Sequence, residues 1–273
     1  MTNRAKVLGI QIQPVMGDKA ANLDKVRKFA DEYAWCKPDL IVLPEVFNIG
    51  VDHKELRKLA EPIPDGITTQ AMIELARKHN TNVIAGSYIE LLPDGDYRNA
   101  CVVINRQGEI IGKYHKIHLF NYQGSEESKY VSAGDKAVIV QTDIGKIGLT
   151  ICYDIRFPEL YRTLNEGGAE IITNVAAFAN TKYDHWVTLN KARAIENLVY
   201  FISVNQCGRV DIKRQNLGMS MVISPWGDVI ASAGTNESVM MAEIDLGALR
   251  KTREEFAVLN DRVPAAYTNP VIF

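Results

Sequence analysis

Cysteine is scarce: the 273-residue chain holds four, at Cys36, Cys101, Cys152 and Cys207. They are far apart and form no Cys-x-x-Cys pair, which excludes the usual zinc and dithiol redox frameworks. A few unpaired thiols in a chain of this size fit a reducing compartment, and the expected location is the cytoplasm. No apolar run approaches membrane-spanning length, and the opening Met1-Thr-Asn-Arg-Ala-Lys6 lacks the apolar core of a signal peptide. There is no excess of either charge: the net charge is −2, with Lys and Arg scattered, so neither nucleic acid nor an anionic membrane is an expected partner. Gly-x-Gly-x-x-Gly is missing after the first strand-like stretch, and no phosphate-cradling loop occurs elsewhere, which argues against a dinucleotide-dependent dehydrogenase.

What the chain does have is 47% hydrophobic residues arranged in short alternating segments. Strands are expected at 6–13, 39–44, 82–90, 171–175, 199–205 and 240–244. Hairpins are expected at 100–114, around Arg106-Gln-Gly108, and at 137–151, around Asp143-Ile-Gly145. Two further short strands fall within 220–230. The spacing predicts helices at 18–34, 68–79, 157–166, 185–198 and 246–256. Strands alternating with helices early and late, with hairpins between, give an α/β fold with mixed sheets. With no linker or repeat, one domain over 1–273 is the economical reading. The tail from Val258 has little of its own to pack on and is expected to lie across another surface.

Three segments share one design, an apolar strand that delivers a polar group at its end. Leu40-Ile-Val-Leu-Pro-Glu45 presents a carboxylate, Gly112-Lys-Tyr-His-Lys-Ile-His-Leu-Phe120 presents Lys116, and Gly148-Leu-Thr-Ile-Cys-Tyr-Asp-Ile-Arg-Phe-Pro-Glu159 presents Cys152. A thiol needs a base to become the attacking thiolate, and a desolvated Glu can serve. A Lys ammonium can lower the thiol pKa and hold a developing oxyanion, to which the Tyr153 N–H could also donate. Each residue also has a plainer reading: Cys152 as a buried core thiol, Glu45 as an exposed loop acid, Lys116 as part of a solvated face with Lys113, His115 and His118. His115-x-x-His118 without a third ligand is a weak zinc pattern, and no metal is expected.

Together these segments resemble the nitrilase superfamily of carbon–nitrogen hydrolases. Leu43-Pro-Glu45, Lys113-Tyr-His-Lys-Ile-His-Leu119 and Ile151-Cys-Tyr-Asp-Ile-Arg-Phe-Pro-Glu-Leu160 look like its signature blocks, in its order and spacing. Further matching stretches are Glu127-Ser-Lys129, His185-Trp186, Ala192-Arg-Ala-Ile-Glu-Asn197 and Ser224-Pro-Trp-Gly-Asp228, so the resemblance spans nearly the whole chain. It implies a four-layer αββα sandwich, a Glu45–Lys116–Cys152 catalytic set and a second glutamate, Glu127, that positions the lysine or the substrate, although Glu126 lies beside it. It also implies a homodimer in which the C-terminal segment reaches over the partner, and no cofactor. Tyr153 after the cysteine favours amides over nitriles, and the three blocks look most like the omega-amidase branch, which acts on dicarboxylic acid monoamides. Alternatives within the superfamily are an N-carbamoyl amide hydrolase or a deaminated-peptide amidase; outside catalysis, a silent binding protein of the same fold. Arg156 could hold a substrate carboxylate or pair with Glu159; Tyr122, Phe178 and His185 are further pocket candidates, the last two equally readable as core. The chain departs from the branch pattern at Ser125, at Ala179-Asn180 and in Thr181-Lys-Tyr-Asp184.

Overall fold

Side chains alternate across a strand, so a strand buried on both faces must feed two separate cores. The first strand does this: Ala5 and Val7 point into one cluster, Leu8 and Ile10 into another. The structure, a computed structural model, describes residues 3–51, 55–122, 125–212 and 214–267. In chain order the elements are β1 (Arg4–Gln11), α1 (Lys19–Glu32), β2 (Leu40–Val42), α2 (Ile67–His79), β3 (Asn82–Ile84), β4 (Tyr88–Leu91), β5 (Tyr97–Ile104) and β6 (Ile110–His115). There follow β7 (Ile139–Thr142), β8 (Gly145–Ile151), α3 (Pro158–Glu166), β9 (Ile171–Ala176), α4 (Tyr183–Asn197) and β10 (Tyr200–Asn205). The last are β11 (Cys207–Arg209), β12 (Gln215–Leu217), β13 (Met221–Ile223), β14 (Val229–Ser232), β15 (Ser238–Asp245) and α5 (Leu246–Glu255).

Two mixed sheets stack face to face. One runs β15-β1-β2-β3-β5-β4 with β6 joined to β5; the other runs β14-β13-β10-β9-β8-β7. Their facing sides share one core, in which Val7, Val42 and Val103 of the first sheet meet Leu149, Val175 and Ile202 of the second. The outer face of the first sheet packs on Leu23 and Val26 of α1 and Met72 and Leu75 of α2. The outer face of the second packs on Leu160 and Leu164 of α3 and Trp186 and Ala194 of α4. The result is the expected αββα sandwich. Asp18 caps α1 through the Ala21 N–H at 3.0 Å, and Pro158 opens α3, which fixes where two of these helices begin.

Each sheet has a parallel centre, β1-β2-β3 in one and β8-β9-β10 in the other. Parallel strands gather functional groups at their carboxyl ends. Here the ends of β2, β8, β9 and β10 lead directly to Glu45, Cys152, Ala177 and Gln206.

One expectation needs correction. The predicted strand 82–90 is two strands, β3 and β4, broken at Gly86, whose φ is +51°. The break lets the chain pass beneath the turn that carries Glu45: the Ser87 N–H donates to the Pro44 carbonyl at 3.2 Å, and a Cβ on Gly86 would lie 2.0 Å from that oxygen. The β11-β12 ribbon, with Cys207 opposite Leu217, is too short and polar to read from periodicity. In the tail, 258–261 and 264–266 form single 3-10 turns, and Arg262 pairs with Glu166 of α3, so part of it is tied to its own subunit. Val263 and Tyr267 stay exposed. Among the described residues no helix is long and apolar enough to cross a membrane.

Because Gly86 combines a left-handed backbone with contact to Pro44, Gly86→Ala should destabilise the protein by about 2 kcal/mol or more. Urea denaturation measures this; an unchanged midpoint would contradict the account of the strand break.

Candidate active site

Glu45, Lys116 and Glu127 are all buried, at 4%, 2% and 5% exposure, which removes the solvent-facing readings of Glu45 and Lys116. Lys116 follows the last residue of β6 and is held by backbone bonds on both sides: its N–H donates to Asn99 of β5, and its carbonyl accepts from Gly134. Its Nζ donates to Glu45 Oε1 at 2.8 Å and to Glu127 Oε1 and Oε2 at 3.0 and 2.9 Å. Glu126 points away and pairs with Lys129 at 2.6 Å, so Glu127 is the acid that reaches the lysine. The Phe120 N–H donates to Glu127 Oε2 at 2.8 Å and locks that carboxylate. Burial alone would lower the Lys116 pKa, but Glu127, Glu45 and Cys152 outweigh it and hold the ammonium well above its ordinary value.

Glu45 stands just past β2, and the next residue, Val46, has φ +42°. That turn is pinned from outside: Gln206 Nε2 donates to the Glu45 carbonyl at 2.6 Å, and the Val46 N–H donates to Ser87 Oγ at 3.2 Å. The carboxylate is fixed on both oxygens. Asn99 Nδ2 donates to Oε1 at 3.0 Å, and the Ala177 N–H, just past β9, donates to Oε2 at 2.9 Å.

Cys152 ends β8 with φ +46° and starts a 3-10 turn over 152–156. A non-glycine residue in this region costs about 1–3 kcal/mol and persists only where its surroundings over-determine it. Cys152 is half-buried as a residue, but its sulfur is desolvated and faces the buried charges. Burial and the Glu45 carboxylate push its pKa well above the ordinary value; Lys116 and the Ala177 N–H oppose this without reversing it. Lys116 thus lowers the thiol pKa as expected but does not prevail, which leaves the sulfur in need of a base, and Glu45 stands beside it. Of the other thiols, burial alone raises Cys101 strongly, and burial with Glu237, opposed by Lys25, raises Cys207 to about 12.

The remaining predicted residues divide. Tyr153 follows the thiol and packs edge-on to Phe120 and Phe157, with centroids 5.0 and 5.3 Å apart. Arg156 lies over the Phe178 ring at 5.5 Å and meets His185 Nδ1 at 3.2 Å; among the described residues it has no carboxylate partner, so the expected pairing with Glu159 is absent. Phe178 is buried against Trp186, with Arg156 lying over its ring. His185 is exposed, and Tyr122 is 57% exposed beside Phe120. His115 and His118 do not converge; His115 bonds Glu90 and His118 bonds Asp154. Asn99, Gln206 and the Ala177 N–H were not found from the sequence. Asn99 sits beside Arg98 at the polar start of β5 and so carries little signal, and a backbone N–H carries none.

A family model for carbon–nitrogen hydrolases matches residues 7–254. The chain belongs to the carbon–nitrogen hydrolase family. It is 36% identical over 264 residues to the deaminated glutathione amidase of Bos taurus, covering 92% of this chain and 80% of that protein. It is 34% identical over 271 residues to the omega-amidase NIT2-B of Xenopus laevis, covering 97% and 96%. The crystal structure of Saccharomyces cerevisiae Nit3, a member of branch 10 of the nitrilase superfamily, superposes with a TM-score of 0.87 at 30% identity, covering 94% of this chain and 95% of that one. The protein is thus a hydrolase of carbon–nitrogen bonds built on the nitrilase fold.

Since Glu45 raises the Cys152 pKa, removing its charge should lower it, with Lys116, still held by Glu127, facing the sulfur. Glu45→Gln should therefore be alkylated faster by iodoacetamide at neutral pH than the wild type while losing turnover. The wild-type labelling rate should keep climbing through the alkaline range. A slower rate in the variant would contradict this electrostatic account.

Proposed function

We propose that the protein hydrolyses the terminal amide of a small dicarboxylic acid monoamide through a cysteine thioester. The observation that carries the mechanism is a buried ammonium shared by two carboxylates, one of which also faces a thiol on a strained turn. Glu45 takes the Cys152 proton as sulfur attacks the amide carbon. The oxyanion of the tetrahedral intermediate is held by the Lys116 ammonium and the Tyr153 N–H. Glu45 returns the proton to the departing nitrogen, ammonia leaves, and a thioester remains. Glu45 then activates water, which releases the acid and the free thiol. Glu127 holds the lysine in place. The sequence calls for no cofactor or metal in these steps.

The substrate class rests on Arg156. Its guanidinium lies at the rim on the Phe178 face, free of any described acid, and suits a bidentate bond to a second carboxylate on the substrate. His185, which meets Arg156, and Tyr122, which packs on Phe120, are the further candidates for substrate contact. The relative named omega-amidase acts in keeping with this reading; the relative named deaminated glutathione amidase supports the second one, a longer deaminated-peptide amide, whose distal part would extend past the exposed Tyr122. One domain spans the chain, the enzyme is a homodimer, and it works in the cytoplasm. Four free cysteines support the location. The dimer is supported by an exposed apolar surface on which Trp226 stacks on Phe256, near the exposed Val258.

Ammonia release should be measured over succinamate, α-ketoglutaramate, glutamine, a ureido acid and a nitrile. Monoamides should be turned over, and Cys152→Ala and Glu45→Gln should reduce this to background with the fold intact. Residual turnover by Cys152→Ala would remove the nucleophile assignment, and turnover of the nitrile alone would overturn the amide reading. Arg156→Ala should raise KM for succinamate by about 10-fold or more while sparing an uncharged amide. Sedimentation should give twice the chain mass of 30.5 kDa; a monomer would refute the dimer.

A further inference from the structure

Asp154 is fully buried, two residues beyond the thiol, and its side-chain hydrogen bonds run to residues that flank the reacting groups. Its Oδ2 accepts from Tyr114 Oη at 2.7 Å and from the Ile151 N–H at 2.8 Å. Its Oδ1 accepts from the His118 N–H at 3.1 Å and from His118 Nδ1 at 2.7 Å. Ile151 immediately precedes Cys152; Tyr114 and His118 lie two residues before and two after Lys116. One carboxylate therefore ties the turn holding the sulfur to both sides of the residue holding the ammonium. These residues belong to different sheets, and no backbone ladder joins β6 to β8.

We propose that Asp154 is the positioning residue that sets the Lys116 ammonium against the Cys152 thiol, acting within the thioester mechanism given above. The charge matters because four donors converge on it. An ionised carboxylate accepts from all of them, whereas an amide accepts on one side and opposes N–H to N–H on the other. The Tyr114 hydroxyl can rotate and His118 can change tautomer, but the Ile151 and His118 backbone N–H groups cannot adapt. A second contact runs parallel to the first: the His118 ring stacks on Phe157 at 3.6 Å and 7°, and Phe157 abuts Tyr153. The lysine segment is thus also packed against the residue that follows the thiol. Burial, reinforced by the Asp154 carboxylate, holds the Tyr114 phenol protonated far above its ordinary pKa, so it stays a donor.

The test uses Asp154→Asn and Tyr114→Phe, with rates normalised to titrated Cys152 thiol. In Asp154→Asn, kcat for succinamate should fall about 100-fold with KM within about 3-fold, the pattern of misplaced reacting groups rather than lost binding. Tyr114→Phe, which keeps the ring and removes one donor, should lose about 10-fold in kcat. Iodoacetamide labelling of Cys152 at fixed pH should slow in both, because a displaced lysine no longer favours the thiolate. A merely structural carboxylate would lower the melting temperature and leave kcat per thiol intact, and that result overturns the proposal. If Asp154→Asn does not fold, Tyr114→Phe decides: wild-type kcat and labelling would refute the role. If the wild type releases ammonia from no amide, the hydrolytic mechanism fails, and the labelling rates still judge Asp154 separately.

Discussion

Lys116 is a fully desolvated cation with two carboxylates within 3.0 Å, and most of the structure around the sheet ends exists to keep it so. Taking an ion out of water costs several kcal/mol, and even well-paired buried ions give little net stability. The cluster carries one net negative charge besides, so it is worse than a neutral pair by any stability criterion. Such an arrangement persists because its surroundings hold every polar atom: Asn99 and the Ala177 N–H on Glu45, the Phe120 N–H on Glu127. Those donors come from β5, from the exit of β9 and from the loop after β6. The site therefore requires both sheets to be assembled and in register before it can exist.

The same economy explains the backbone. Val46, beside the acid, and Cys152, the thiol itself, both have left-handed φ values. A strand that simply continued would carry these side chains away along the sheet; the reversal turns them back across the sheet ends. Each reversal is held by groups remote in sequence, Gln206 and Ser87 for the first, Asp154 with its partners for the second. Strain at two points is offset by hydrogen bonds that the folded sandwich supplies at no further loss of chain entropy.

The elements were legible in the sequence because strands buried on both faces leave long apolar runs and helices leave a 3.6-residue pattern; their four-layer stacking came from the family resemblance alone. β1, β8 and α2 fall within a few residues of where that reasoning puts them. The three blocks ending in Glu45, Lys116 and Cys152 were legible because polar groups directly after apolar strands stand out. What was lost depends on the third dimension. The break at Gly86 answers to Pro44, over forty residues away, and no local signal encodes that contact. Asp154 was visible as part of a charged turn, but its importance lies in partners at 114 and 118. The net direction of the thiol pKa was not legible, because a sequence places Lys116 and Glu45 in the same site without saying how far the sulfur is desolvated among them. Depth decides the sign: in water the lysine would prevail, and in a desolvated pocket burial and the acid do.

That sign bears on how the proposed chemistry runs. A resting thiolate beside Lys116 would form an ion pair already satisfied before substrate arrives, and attack would have to break it. A neutral thiol beside a carboxylate stores no such pair. Proton transfer to Glu45 then becomes favourable only as charge moves from sulfur to the substrate oxygen, where Lys116 can meet it. At rest the ammonium is engaged by Glu45 and Glu127; once Glu45 takes the thiol proton its hold on Lys116 weakens and the ammonium can turn to the substrate oxygen. That part of its attraction is gained only in the transition state, which is the condition under which binding energy raises kcat. The burial that makes Cys152 a poor thiolate in the free enzyme is, on this argument, what allows a fixed cation and a fixed base to act on it together.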